Sequence, residues 1–356
     1  MKEVEVKLRR GMDKNGIRPE VQDKIIQSIT SFALYGFPES HAASFALIAY
    51  ASAFLKCHYL PAFTAAMLNN QPMGFYSPAT LVKDAQRHGL KVKPIDVTCS
   101  DWLCTLEKNG NAFEMRLGLR YVKGLRESVA REIEQQRRIR VFASVNDLKL
   151  RVPAIQKDEL ATLAEIGALN SIGTKRGHRR EALWQIERAA RNAGPLLETI
   201  ESAESQNNEM RENSPLPPMS MEERLVADFK NTGMTVGPHP MAYHRAEMRR
   251  QGVRSAMELE RLPNGVAVRV AGSVIARQRP GTAKGFVFLS LEDETGIANA
   301  IITPQVFERD HLIIVHQQFL LIDGELQNQD NVISVKAARV LPLMITRAHT
   351  ESHDFH

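Results

Sequence analysis

The sequence predicts a multidomain α+β protein, helical before residue 194 and closed by a five-stranded β-barrel near its end. Three observations predict it. Apolar residues recur at helical spacing through most of residues 19–193. A stretch rich in Pro, Ser, Asn and Glu, 194–220, interrupts them. From Val266 the apolar period changes to alternation. A chain of 356 residues also exceeds what one core usually serves, and 43% apolar residues suffice for two or three ordinary cores.

The elements follow in order. Val21, Ile25, Ile26, Ile29 and Phe32 fall on one helical face. Ser40 can cap a helix carrying Phe45, Leu47, Ile48, Phe54 and Leu55, and Pro61 opens another that ends near Asn69-Asn70. Ser77-Pro78 is a cap followed by proline at the first helical position, with Gly89 as its stop. A short strand follows, with Val92, Ile95 and Val97. Residues 115–193 read as helices with hairpin turns, and a further helix from Met221 breaks at Gly233. Alternation at Val266, Val268 and Val270, at Phe286 and Phe288, at 297–302, 319–323 and 332–340 gives five strands, with a short helix at 304–311. Strand-strand-strand-helix-strand-strand is the order of an OB-fold. The expected divisions are a helical region (1–114), a basic module (115–193), an acidic flexible linker (194–220), a helical connector (221–265), the barrel (266–343) and a tail (344–356).

Charge is uneven along the chain. The total is 46 basic against 41 acidic residues, or +5. Residues 115–184 alone carry fifteen Lys/Arg and eight Asp/Glu, whereas 194–223 carry seven Glu and one Arg. A basic module followed by an acidic tether suits a phosphate-binding unit. Cys57, Cys99 and Cys104 lack C-x-x-C spacing, which suggests reduced thiols in a cytoplasmic protein. The opening Met1-Lys-Glu-Val-Glu-Val-Lys has no apolar signal-like core, and no apolar run approaches 18 residues, so no membrane partner is expected.

Two stretches point to nucleic acid. Leu117-Gly-Leu-Arg-Tyr-Val-Lys-Gly124-Leu-Arg-Glu-Ser-Val-Ala130-Arg-Glu-Ile133 fits a helix-hairpin-helix, in which hairpin amides at a helix start face one phosphate. Gly124 would admit the DNA backbone, with Arg120, Lys123 and Arg126 around it. A second unit is read at 157–180, with its turn at Ile166-Gly167-Ala168 and with Lys175, Arg176, Arg179 and Arg180 opening the next helix. In the barrel, Ala276-Arg277-Gln-Arg279-Pro-Gly-Thr-Ala-Lys284-Gly285 is a basic loop of the kind that grips single strands, so Arg277, Arg279 and Lys284 are candidate contacts. Phe286 and Phe288 share one face and are assigned to the core. Asp323 and Glu325, two apart on a strand, read as a solvated edge. Glu292-Asp-Glu-Thr-Gly296 reads as a turn, not a metal site. No phosphate-binding G-x-x-x-x-G-K-[ST] loop, H-E-x-x-H or nucleophile elbow occurs.

The stretch Tyr35-Gly-Phe-Pro-Glu-Ser-His-Ala-Ala-Ser-Phe-Ala-Leu-Ile-Ala-Tyr50, running on to Phe54-Leu-Lys-Cys-His-Tyr59, resembles the fingers region of the bacterial C-family DNA polymerases, the polymerase III alpha subunits. Pro38-Glu39 resembles the error-prone, translesion branch. The tandem hairpins, the sequence 281–296 and the ending His353-Asp-Phe-His356 resemble the same family. The resemblance implies the C-terminal portion of a DNA-directed DNA polymerase of damage-induced mutagenesis, with Ser40, His41 and Lys56 near nucleotide and primer-template. It implies Mg²⁺ for the full-length enzyme and none for this chain, whose palm carboxylates would lie before residue 1, so the chain alone is expected to be inactive. Its implied partners are duplex and single-stranded DNA, a sliding clamp and accessory mutagenesis proteins. Two alternatives remain: a stand-alone, non-sequence-specific DNA-binding protein, and an OB-containing RNA binder.

Overall fold

A computed structural model describes residues 2–34, 39–74, 76–173, 177–190, 214–329, 332–345 and 353–355. Two units are resolved, Met1–Tyr59 and Leu60–His356. The first is helical: α1 (Lys2–Lys14), α2 (Pro19–Leu34) and α3 (Glu39–His58). Met12 and Ile26 are its buried apolar residues among those described. Arg9 donates to Asp23 at 2.8 Å, and Gln22 donates to Asp13 at 2.6 Å, clipping α1 to α2. Of the apolar face expected on α2, Val21, Ile25 and Ile29 stay exposed. Helix α3 exposes apolar residues on all sides, among them Phe45, Leu47, Ile48, Tyr50 and Phe54.

The second unit begins with α4 (Leu60–Asn69) and α5 (Pro78–Arg87). Ser77 accepts from the Thr80 N–H to cap α5, with Pro78 at the first helical position. Strands β1 (Val92–Lys93), β2 (Thr105–Asn109) and β3 (Ala112–Arg116) then form a small sheet in the order β1-β3-β2. Strand β1 falls within the short strand expected at 92–97, whereas β2 and β3 add a hairpin to a region otherwise expected to be helical. Helical spacing did not reveal β2 and β3, short strands in which one face carries Glu107, Glu114 and Arg116, with Glu107 and Glu114 also paired to Lys93 of β1 and Glu114 to Lys91. After a 3-10 turn (Leu119–Tyr121) come α6 (Glu127–Ile139), α7 (Val145–Arg151), α8 (Lys157–Glu165), α9 (Arg179–Ala190) and α10 (Met221–Thr232). One apolar core runs through all of this, from Ala65 to Met234. The expected division at 114/115 therefore falls inside β3 and inside a single core. Gly118 is required there by close approach: a Cβ would collide with the Trp102 carbonyl oxygen. Most of the expected linker lies outside the described residues.

Next come α11 (Pro240–Arg250), β4 (Val253–Arg254) and the short α12 (Ala256–Leu259). The expected connector is thus divided between cores. Leu225 and Phe229 of α10 join the helical core, whereas Met241, Met248 and Val253 pack on the barrel residues Ala271, Phe319 and Leu321.

The barrel comprises β5 (Ala267–Gln278), β6 (Val287–Glu292), β7 (Ile297–Ile302), β8 (Phe319–Gln329) and β9 (Val332–Pro342). The strand order β5-β6-β7-β9-β8 closes through β8 pairing back on β5, and β7 and β9 run parallel. Helix α13 (Pro304–His316) sits between β7 and β8, longer than expected and kinked at Asp310. This is the five-stranded OB-fold, filled by Val268, Val270, Leu289, Leu291, Ile302, Ile322, Leu326 and Val335. Strand β10 (His353–Phe355) lies parallel to β5.

The helical core and the barrel meet at buried charges. Lys83 donates to the Gly237 carbonyl and, at 2.9 Å, to Gln86. Arg87 pairs with Glu292 at the end of β6 at 2.9 Å. His239 Nδ1 accepts the Met241 N–H, leaving Nε2 3.8 Å from Glu292 Oε2. Burial, against the pull of Arg87 and Lys83, pushes the Glu292 carboxyl up to about 7. It pushes Lys83 down to about 8 and His239 down to about 3. Between its ordinary 4.5 and about 7 the folded state binds the Glu292 proton and the unfolded state does not, so this group's contribution to stability falls as pH rises through that window. His239 contributes the opposite slope from about 3 to 6.5. Glu292→Gln mimics the protonated carboxyl and isolates the first contribution. Urea midpoints measured between about pH 5 and 8 should fall in the native chain relative to the variant; parallel curves would contradict the burial argument.

Candidate nucleic-acid interface

Two turns of the same construction face the surface. In the first, residues 122–126 enter α6, and the Leu125 N–H donates to the Val122 carbonyl at 3.2 Å. In the second, residues 152–156 enter α8, and the Ile155 N–H donates to the Val152 carbonyl at 3.1 Å. Burial repeats position by position: Val122, Leu125, Val129 and Ala130 are buried, as are Val152, Ile155, Glu159 and Leu160, with the residues between them exposed. The turns are thus copies of one unit, 30 residues apart. This corrects the second hairpin expected at 157–180, whose turn was placed at 166–168. Gly167 instead ends α8: with φ +81 it lets the Ala168 N–H reach the Leu163 carbonyl at 2.9 Å. The basic run near 175–180 suggested a phosphate-facing helix start, whereas the true second turn carries Pro153, Ala154 and Gln156 and has no glycine to mark it.

Glu159 ties the two turns together. One carboxylate oxygen accepts the Arg126 N–H at 3.0 Å, and the other accepts the Gln156 N–H at 2.8 Å. The Arg126 guanidinium donates to the same carboxylate at 2.8 and 3.0 Å and also reaches the Ala154 carbonyl. Burial opposes the Glu159 charge, but the Arg126 side chain and the two amides outweigh it and hold the carboxyl at about 2.

Many other expected contacts serve the fold. Arg120 donates to the Asn69 and Gln71 carbonyls at the end of α4. Arg179 pairs with Asp228 at 2.7 Å and reaches the Glu165 and Arg224 carbonyls, joining α8, α9 and α10. Arg180 pairs with Glu223 at 2.6 Å. Lys175 and Arg176 lie outside the described residues. Lys123 and Gly124 remain at the exposed tip of the first turn, and Gly124 has φ +82 with open space where a Cβ would stand. The N-terminus of α6 has no side-chain cap, whereas α8 is closed by a capping box between Gln156 and Glu159. Its uncapped amides beside Lys123 and Gly124 make α6 the end of the pair suited to an anion.

On the barrel, Arg277 donates to the Ile314 carbonyl at 2.7 Å and the Gln317 carbonyl at 2.6 Å, capping α13. Arg279 stacks over Phe307 at 4.6 Å. Lys284 is exposed, in the left-handed region at φ 51. Phe288 corrects the core assignment. Val287, Leu289 and Leu291 take the inner positions of β6, and Phe288 faces outward, 38% exposed; Phe286 precedes the strand and is half-buried. In register beside Phe288 stand Ile301 of β7 and, beyond it, the exposed Lys336 of β9. Ser290 shares the phase of Phe288, a polar signal that this face is outward. In the first unit, His41 is exposed with its ring 4.5 Å from that of Phe45, and Lys56 is half-buried. Residues 35–38 and the Ser40 side chain lie outside the described residues.

Two family models match these modules, a helix-hairpin-helix motif over residues 89–181 and an OB-fold nucleic acid binding domain over residues 268–343. Proteins named error-prone DNA polymerase match almost the whole chain. The one from Pseudomonas savastanoi pv. phaseolicola is 41% identical over 98% of this chain and 33% of its own length. Those from Anaeromyxobacter dehalogenans and Azoarcus are also 41% identical, over 99% and 98% of this chain and 31% and 32% of theirs. The chain is similar, nearly end to end, to a third of an error-prone DNA polymerase. It thus spans about a third of the length of the curated relatives it matches.

Glu159→Ala should cost about 3 kcal/mol, since it strands two amides and a guanidinium. Glu159→Gln should remove a stability contribution present above pH 4.5 and lost as pH falls toward about 2, because the folded carboxyl binds its proton later than the unfolded one. Urea unfolding from pH 2.5 to 7 measures both, and an Ala variant as stable as the native chain would show that the turns hold without this carboxylate.

Proposed function

We propose that this chain is the C-terminal, DNA-binding part of an error-prone DNA-directed DNA polymerase of damage-induced mutagenesis and translesion synthesis. What carries the reading is likeness along 98% of the chain to polymerases of that name, over a piece that holds both nucleic-acid-binding modules. The paired turns would sit on duplex DNA, with a phosphate at the α6 N-terminus beside Lys123 and Gly124, and without base readout. The barrel would receive single-stranded template, with a base on Phe288 and phosphates near Lys284 and Lys336. A sliding clamp and accessory mutagenesis proteins would be partners of the longer polymerase, in the cytoplasm. No helix among the described residues is long and apolar enough to cross a membrane.

Among the described residues no group of three or more His, Cys, Asp or Glu is placed to hold a metal ion. The Mg²⁺ of the reaction is proposed for the longer polymerase only. The chain alone is expected to leave a primer unextended with dNTPs and Mg²⁺; template-dependent extension above a heat-inactivated control would refute that.

Duplex binding should weaken steeply with salt, with a log–log slope of roughly −4 to −5 for about four to six phosphates. Lys123→Ala should lower the slope by about 1 and weaken all sequences alike. Phe288→Ala should weaken single-strand binding by about 1–3 kcal/mol per stacked base and spare duplex binding. Fluorescence titrations across salt concentrations measure all three. A slope near zero, or a preference for one sequence, would favour a different partner for the turns. The stand-alone DNA-binding protein has no observation of its own in its favour.

A further inference from the structure

Strands β5, β8 and β9 floor an open groove of about 670 Å³ on the barrel. A hollow of that size can take a nucleotide-sized group. Arg269 lines it. Nε and Nη2 of this guanidinium donate to the two carboxylate oxygens of Asp323 at 2.5 and 3.2 Å, and Nη1 donates to the Gln251 carbonyl at 3.2 Å. Three hydrogen bonds on its edge fix the guanidinium plane, and 40% of the side chain remains exposed. A planar cation held by its edge keeps its faces for stacking. Ala267 and Ala338 put nothing larger than a methyl group on the floor. Glu325 stands across from Ala267, exposed, and among the described residues no hydrogen bond or ion pair engages its carboxylate. Asp323 is neutralised by Arg269, so Glu325 is the open acceptor of the groove. The exposed Arg339 is in register with Asp323 on β9.

We propose that this groove is a guanine subsite for a single strand, in which the base stacks on Arg269 and turns its Watson–Crick edge to Glu325. A carboxylate can accept two hydrogen bonds at once, and among the four bases only guanine carries two N–H donors, N1–H and N2–H₂, side by side on that edge. Thymine offers one N–H flanked by two carbonyl oxygens, which the carboxylate repels. A phosphate in the groove would meet the Glu325 charge at close range, which favours an uncharged base there. The inference rests on the reading of the barrel as a single-strand binder and adds a base preference to it. A track joins the two places: Phe288, Ile301, Lys336 and Glu325 stand in register on β6, β7, β9 and β8. At about 4.8 Å per strand, the path from Phe288 to Glu325 is about 14 Å along the barrel surface, within reach of a few nucleotides. Lys336 lies on that path, where it can hold a phosphate between the two bases, and Arg339 is a cation for a phosphate beyond the groove.

The test uses the full chain and five fluorescein-labelled oligonucleotides of twelve nucleotides: all thymidine, or thymidine with one central dG, deoxyinosine, dA or dC. In anisotropy titrations at fixed salt, the dG strand should bind about ten times more tightly than the all-thymidine strand. Deoxyinosine, which lacks the 2-amino group, should lose most of that gain. Glu325→Gln should abolish the preference, and because Glu325 is exposed, circular dichroism should show an unchanged fold. Phe288→Ala should weaken every strand and keep the preference. Equal binding of all five strands, or a preference that survives Glu325→Gln, would overturn the guanine subsite while leaving the barrel a single-strand binder. Failure of every strand to bind would remove that reading, and the subsite with it. Free dGMP that competes as well as the dG strand would also overturn the assignment, since the groove would then serve a nucleotide rather than a strand.

Discussion

The helical module is organised around one carboxylate. Glu159 sits nearly buried between two turns and takes one backbone N–H from each, with the Arg126 guanidinium closing over it. A buried carboxylate is costly to hold unless its lone pairs are filled, and here each oxygen is filled by the other half of the pair. The two copies are therefore not independent hairpins on a common core. Each completes the hydrogen bonding of the other. A consequence for binding is asymmetry within apparent symmetry. The same carboxylate that bridges the turns also caps α8, leaving α6 as the uncapped end beside Lys123 and Gly124.

The barrel was legible because alternation is a direct record of which side of a strand is wet. Five strands and the helix between the third and fourth follow from it. Its phase was harder to read in the run Phe286-Val-Phe-Leu-Ser-Leu-Glu292, where apolar residues occupy both phases; only Ser290 marks the outer side. The first hairpin was legible because Gly124 must adopt φ +82, which few other residues tolerate. The second was missed for the complementary reason, since Pro153 and Ala154 make the same turn without a glycine. Of the small sheet, β1 fell in the strand expected at 92–97, but β2 and β3 were missed because they are only five residues each and one face carries Glu107, Glu114 and Arg116, paired with one another and with Lys93. Charge counts also misled in detail. A run of arginines suggests a phosphate surface, yet Arg126, Arg179 and Arg180 each meet a carboxylate far off in sequence. Nothing in local spacing reports such partners.

The charges at Lys83, Arg87, His239 and Glu292 give the junction of helices and barrel a different character from either core. Apolar contacts tolerate small slips; a buried donor that must meet the Gly237 carbonyl and a buried carboxylate that must meet Arg87 do not. Because β6 carries Glu292 at one end and Phe288 further along its outer side, the helical module also fixes the direction in which the outer face of the barrel looks.

Helix α3 has consequences for handling the molecule. A helix apolar on every side has no face to offer water. Phe45, Leu47, Ile48, Tyr50, Phe54 and Leu55 together form a sticky rod at one end of the chain. Preparations of the whole chain would then be governed by colloidal behaviour: self-association rising with concentration, adsorption to surfaces, and light scattering that obscures weak binding. A version beginning at Leu60, where the second unit starts, would leave that rod behind and keep both the paired turns and the barrel.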